Sequence, residues 1–224
     1  MLCPCSSSQA SELVGYWKFD EGTGSIASDG SGYGNTGTLS GASWTASGKK
    51  NGALALDGVN DRVEIPNSAS LASTSSQIPV AAWVYLTDIS NEWITVMQRT
   101  DSGGDFLDFQ LHARGGGAQP LFMVDWNQNG TDDAGEIVLG DIVLSANRWY
   151  FLTATYDGSA LRFYIDGTLR GTQAKSGGTI PNSGREIWIG GNDVWGEFLK
   201  GRIDEVRIYN RALSATEIQT LYAQ

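Results

Sequence analysis

The residues best placed to do chemistry lie between Asp125 and Glu136. Asp125, Asn127, Asn129, Asp133 and Glu136, with Gly130 between them, match the spacing D-x-[DN]-x-[DN]-G-x5-E at every fixed position. That spacing turns oxygen ligands inward at alternate residues and lets a glycine take the sharp bend. It ends on a carboxylate able to bind through both oxygens, which is how a loop holds Ca2+. Leu121 to Val124 before it and Ile137 to Leu139 after it read as strands, so this is a lone calcium loop set in a hairpin. A solvated Asn-Gly turn ringed by carboxylates is the other reading. From Asp101 to Asp141 there are eight acids and one Arg, a self-repelling cluster that a divalent ion would relieve. The glycosylation sequon at Asn129-Gly130-Thr131 overlaps a proposed ligand and is discounted.

A second set has the chemistry of sugar recognition, which combines aromatic rings with polar hydrogen-bonding groups. In the stretch Asp105 to His112, Leu107, Phe109 and Leu111 point one way and Asp108, Gln110 and His112 the other. Arg99 on the preceding strand extends that polar row. Trp126 and Trp195 lie in Asn- or Gly-rich loops, whereas Trp17, Trp83 and Trp149 read as core. Each of these residues also has a purely structural reading.

Enzyme chemistry is less well served. No E-x-D-x-x-E strand signature occurs, and no G-x-S-x-G elbow. Asp204 and Glu205 are adjacent, so in a regular strand they face opposite sides and cannot flank one glycosidic bond. His112 with a nearby Tyr is the remaining option for proton abstraction. As the single histidine, it also excludes any multi-His zinc site.

These groups need rigid elements to position them. The 224 residues contain 29 glycines, about 13%, against roughly 7% in an average domain. With eight Trp, eight Tyr and seven Phe, this is not a disordered acidic chain. Short Val/Ile/Leu/aromatic runs alternate with Gly/Asn/Asp/Ser clusters, which predicts about fourteen strands in two packed sheets. Asp166-Gly167 supplies the positive φ values of a two-residue hairpin turn. Val80 to Leu86 is apolar on both faces and belongs in the middle of a layered structure. Only the end reads as helix, with a capping box at Ser214 and Glu217. Net charge is −10, which argues against nucleic acid and anionic membrane as partners. No apolar run approaches the length of a membrane-spanning helix. Residues 1–11, with Cys3 and Cys5, read as a tail or remnant without signal-peptide character, and 12–224 as one domain.

Several motifs in order resemble the laminin-G-like, concanavalin-A-like jelly-roll family. They are Val14 to Gly22, Ser31 to Gly37, Ala53 to Gly58 with Asp61 to Ile65, Thr155 to Gly158 through Gly167, and Lys200 to Leu213. The resemblance implies an all-β, two-sheet antiparallel sandwich with a short C-terminal helical turn. It also implies a structural calcium joining the first and last strands, where Asp20 and Asp204 are matching acids and Asn35 is a looser match. Caps or pairs with Arg202 or Arg207 are the alternative roles for those acids. Members are mainly carbohydrate-binding or adhesive modules of larger extracellular or cell-surface proteins. The expectation is therefore a calcium-stabilised, non-catalytic module that binds a polysaccharide or other glycan, within a longer multidomain chain. The alternative is an adhesive or spacer module contacting protein; a small lyase or glycoside hydrolase comes last.

Overall fold

A computed structural model describes residues 12–72, 77–100, 107–127, 133 and 135–224. In chain order the strands begin with β1 (Leu13–Trp17), β2 (Ile26–Ala27), β3 (Gly37–Ser40), β4 (Ser43–Thr45), β5 (Ala53–Asp57) and β6 (Arg62–Ile65). The single-turn helix α1 (Ala69–Ala72) precedes β7 (Ile78–Leu86), β8 (Thr95–Thr100), β9 (Leu107–His112), β10 (Leu121–Met123) and β11 (Ile137–Leu139). Then come β12 (Trp149–Tyr156), β13 (Ala160–Ile165), β14 (Thr168–Ala174), β15 (Ile187–Ile189), β16 (Gly191–Asn192), β17 (Glu197–Phe198), β18 (Lys200–Tyr209) and helix α2 (Ala215–Ala223). The expected tail at residues 1–11 lies outside the described residues.

Two eight-stranded antiparallel sheets face each other. Sheet A runs β14-β13-β12-β7-β18-β5-β4, with β1 also paired to β18, and sheet B runs β11-β10-β9-β8-β15-β6-β3-β2. This is the expected jelly-roll sandwich. The inner faces of both sheets meet in one continuous cluster that includes Val14, Trp17, Val80, Val84, Phe109, Leu152, Ile189 and Ile208. β7 is apolar on both faces for a specific reason. Val80, Ala82, Val84 and Leu86 face sheet B, while Ala81 and Trp83 pack outward with Phe151 under Leu221 and Tyr222 of α2. Ser214 and Glu217 form the capping box that starts α2.

Local backbone chemistry follows the sequence where glycine demands it. Asp166 and Gly167, with φ of 52° and 74°, make the tight turn between β13 and β14. β18 departs from regular alternation. Its pairing with β7 slips between Asp204 and Arg207, and Glu205 takes φ 53°. Ile203 and Val206 consequently both enter the core. Asp204 and Glu205 both face away from it and both contact Lys50, through its backbone N–H and its ammonium respectively. The opposite-faces expectation for this pair is therefore corrected: a β-bulge places both carboxylates on one side.

Trp17 fastens this region. Its ring is fully buried and its Nε1–H donates to the Asn35 carbonyl at 2.8 Å. Trp17→Phe keeps most of the apolar burial but orphans that carbonyl. A loss of about 1–3 kcal/mol is expected. Urea unfolding should show a lower midpoint with an unchanged m-value.

Candidate functional site

The two acids expected to hold calcium grip the same loop. Asp20, at the exposed end of the β1 segment, accepts hydrogen bonds from Gly52 N (2.9 Å) and Asn51 Nδ2 (3.3 Å). Asp204, wholly buried, accepts from Lys50 N at 2.9 Å, and its Oδ1 makes no well-formed hydrogen bond among the described residues, although the Lys49 and Glu205 backbone N–H groups also act on the carboxylate. Burial is the main force lifting the Asp204 carboxyl to about 7, with a push from neighbouring Glu205. Phe19 and Glu205, each next to one of these acids, and Asn51 in the loop they hold all have positive φ (56°, 53° and 48°) without being glycine. Strain concentrated at one point marks a place that other forces hold fixed. A Cβ on Gly52 would sit 2.7 Å from the Phe19 carbonyl oxygen, so only glycine lets the loop approach this closely.

The Asn35 side chain is engaged by other partners. Its amide donates to Val14 O (2.6 Å) and Ser70 Oγ (2.9 Å) and accepts from Ser68 Oγ (2.6 Å). Those bonds tie β1 to the segment around α1 and leave the side chain committed. Among the described residues no three Asp, Glu, His or Cys side chains converge. An ion between Asp20 and Asp204 would thus draw its other ligands from backbone carbonyls, which calcium accepts readily. A buried carboxylate oxygen without a well-formed hydrogen bond fits a cation there.

In the Asp125–Glu136 loop, Asn129 lies outside the described residues. Glu136 is buried, and its two oxygens accept from Trp126 N (3.1 Å) and Asp133 N (2.7 Å). Asn127 donates to Asp133 at 2.9 Å. Asp125 is also buried. Asn127, Asp133 and Glu136 are thus drawn together, and Glu136 closes the loop through backbone N–H groups. Trp126 packs on Tyr156, with ring centroids 4.6 Å apart, and its indole donates to Gly135 O. It is half-buried packing under Lys175.

The polar row exists, on the outward face of sheet B, but it does not meet solvent. Arg99, Asp108, Gln110 and His112 are all buried. Arg99 pairs with Asp108 at 2.6 Å and donates to the carbonyls of Leu71 and Pro181. Ser183 adds two bonds to Asp108. Gln110 donates to Gln98 Oε1 at 2.6 Å and, more weakly, toward Thr95 and Glu197. Among the described residues neither His112 ring nitrogen makes a well-formed hydrogen bond, the Ile94 backbone offering a weak one, and Trp93 packs edge-on against the ring. Burial, reinforced by the Arg114 charge, pushes its pKa down to about 3. The α1 segment, the 181–183 stretch and the β16–β17 hairpin cover this row.

That hairpin carries what remains accessible. Trp195 is 44% exposed at its tip, its backbone held by Asn192 Oδ1 at 2.9 Å. Asp193 in the same turn meets Arg62 (3.2 Å), which also pairs with Glu64 (2.7 Å) and lies over the half-buried Trp188 ring. Trp188 faces outward in register with Glu64, Gln98 and Gln110. Beneath the hairpin, Glu197 accepts from Asn192, Thr95 and Gln110, and burial lifts its pKa. Arg62, Glu64, Trp188 and Glu197 escaped the sequence reading. Strand alternation could have offered the first three as outward-facing, whereas Glu197 depends on a fold-back that no spacing announces. Trp149 also differs from expectation: it is half-buried on the outer face of sheet A beside Tyr85 and Arg202.

Comparison with known proteins gives a family and a set of fold neighbours. Residues 57–219 match the sequence model of the concanavalin A-like lectin/glucanases superfamily. No curated protein matches the chain. Among solved structures, it resembles domain 4 of AbnA, a GH43 extracellular arabinanase from Geobacillus stearothermophilus, in complex with arabinotriose. The TM-score is 0.72 at 20% identity, over 96% of this chain and 100% of that one. It also resembles the binding domain of Paraclostridial Mosquitocidal Protein 1 (TM-score 0.74, 16% identity, 94% of this chain). The chain spans 52% of that structure. The Botulinum Neurotoxin serotype G binding domain is similar at TM-score 0.69 and 17% identity, over 94% of this chain and 50% of that one. At these identities the likeness is one of fold.

Two outcomes are expected from the buried polar groups. His112 has a folded pKa of about 3 against an ordinary 6.5, so its unfolded state binds the extra proton between those values. Stability attributable to it is complete above pH 6.5 and falls as pH drops, by about 2 kcal/mol at pH 5. Unfolding of His112→Gln beside wild type from pH 7 to 4 should show a flatter profile for the variant. Asn35→Ala should cost about 2–4 kcal/mol, because it strips partners from Val14 O and Ser68. Denaturant titration reads this directly.

Proposed function

This chain belongs to the concanavalin A-like lectin/glucanases superfamily, and on that premise we propose that it is a non-catalytic glycan-binding module, calcium-stabilised, of an extracellular or cell-surface protein. The observation that carries the glycan reading is the hairpin that holds Trp195 exposed and, two residues earlier, brings Asp193 onto Arg62, which also pairs with Glu64 and lies over Trp188 on the outward face of sheet B. An aromatic face for sugar C–H groups beside carboxylates and a guanidinium for hydroxyls is the composition a glycan surface needs. An arabinotriose complex of a neighbour with the same fold supports it. Arg99, Asp108, Gln110 and His112 serve as the foundation of this face rather than its contact layer. Glu197 is engaged by three donors that pin the hairpin, which suits a support and not a free catalytic acid.

Calcium is assigned between Asp20 and Asp204. The Oδ1 of Asp204, without a well-formed hydrogen bond among the described residues, supports this, as do the three strained residues that hold the surrounding backbone. When bound, the ion would neutralise a carboxylate that burial otherwise keeps close to its protonated form, and it would clamp the 49–52 loop to both ends of the fold. The Asp125–Glu136 loop is the second candidate, through Asp125, Asn127, Asn129, Asp133 and Glu136.

A ligand that binds only the folded state adds about 2.7 kcal/mol at a hundredfold excess over Kd. For a domain of this size that raises the melting temperature by about 5–10 °C. Calcium against chelator should show this shift. It should vanish in Asp20→Asn with Asp204→Asn and persist in Asp125→Asn with Glu136→Gln; the reverse pattern moves the ion to the loop. Trp195→Ala should weaken retention on a bound polysaccharide by tenfold or more while melting as wild type does. Retention by no polysaccharide at all, with a cooperative melt, would favour the adhesive reading instead.

A further inference from the structure

Building on the glycan reading, we propose that the Trp188 patch admits uncharged glycans and turns away polyanionic ones, and that Glu64 and Asp193 enforce this by occupying Arg62. Arg62 lies over the Trp188 ring, and both acids reach the same Nη2, at 2.7 and 3.2 Å. Its side chain is 15% exposed, against 32% for Glu64 and 55% for Asp193. An approaching anion therefore meets carboxylate before guanidinium. Glu186, which accepts from the Trp188 indole at 3.1 Å, adds another exposed negative charge beside the ring. A carboxylate or sulfate on a sugar would have to displace a bonded acid from Arg62 while passing like charges, which is discrimination by repulsion. A neutral sugar meets no such barrier. Its hydroxyls donate to the same carboxylates in charge-assisted hydrogen bonds.

The gate predicts a gain of binding as well as a loss. Titration calorimetry would use arabinan and xylan as neutral probes, and polygalacturonate and heparin as anionic ones, at 50 and 500 mM NaCl. Wild type should bind a neutral probe with affinity changing less than about twofold between the two salts, and should bind neither anion. The double variant Glu64→Gln with Asp193→Asn frees Arg62. It should acquire polyanion binding at least tenfold above wild type at 50 mM NaCl and lose it at 500 mM, where screening acts within about 4 Å. Adding Arg62→Gln should abolish the gain. Thermal melting of each variant separates lost binding from lost fold. Polyanion binding by wild type that disappears in Arg62→Gln overturns the gate, and so does a folded double variant that gains nothing. If wild type binds neither class, the glycan reading falls, and the double variant still decides the gate by itself.

Discussion

Pairing of β1 with β18 closes the chain on itself, and most of what is distinctive in the molecule hangs on that ladder. β18 is ten residues long and is paired with β1, β5 and β7. A strand shared so widely cannot shift without moving its neighbours. Its irregularity at Asp204 and Glu205 is therefore held by everything around it. Glu205 sits in a buried knot with Tyr16 of β1 and Arg207 further along its own strand, so the bulge is braced by charge-assisted bonds on both strands. Asp204 is left facing the 49–52 loop with an oxygen to spare. Trp17 and Asn35 complete the fastening from the sheet B side.

The outward face of sheet B obeys a different constraint. Its strands carry Arg99, Asp108, Gln110 and His112 where water would be expected, yet loops and the β16–β17 hairpin exclude water from them. Polar groups under such cover must find protein partners or cost free energy. Arg99 and Asp108 do so by recruiting Leu71 from one segment and Pro181 and Ser183 from another. Glu197 does the same for Thr95, Gln110 and Asn192. These networks fix the height and tilt of the hairpin, and with it where Trp195 and Asp193 stand. Rigidity below and exposure above are two results of the same burial.

Much of this was legible in the residues. The Asp166-Gly167 turn, the Ser214–Glu217 capping box and the two-faced β7 each report a local rule of conformation or alternation, and each holds. The inward and outward assignment of Asp105–His112 also holds for its described part, because period two is a property of the strand itself. What alternation cannot say is what lies over a face. Alternation alone makes the polar row a solvent-facing platform, because nothing in 105–112 reveals that residues near 71, 181 and 195 fold across it. The resemblance offers Asn35 as a looser ion-ligand match, while its side-chain partners are Val14, Ser68 and Ser70, far away in sequence. The bulge at Asp204–Glu205 depends on strands on both sides and leaves no signature within its own tetrapeptide. Local rules were readable; coverage and long-range partners were not.

The β1–β18 ladder has a mechanical consequence. Its register runs from Leu13 opposite Tyr209 to Trp17 opposite Val206, so β1 begins where β18 ends. Tension arriving through residues 12 and 210 loads these pairs one after another, as in opening a zip, instead of shearing them together. The first resistance is the clamp of Arg211 on Glu12 and Glu217, together with the Asn210–Glu12 backbone bond. Behind it the ladder would part stepwise until the tear reached Trp17 and the bulge. There the indole bond to Asn35, the Tyr16–Glu205–Arg207 knot and the Asp20 and Asp204 grip on one loop all stand in the path. The compliant stretch lies nearest the pull and the reinforced one farthest along it, so the domain can yield at its edge while its interior stays whole.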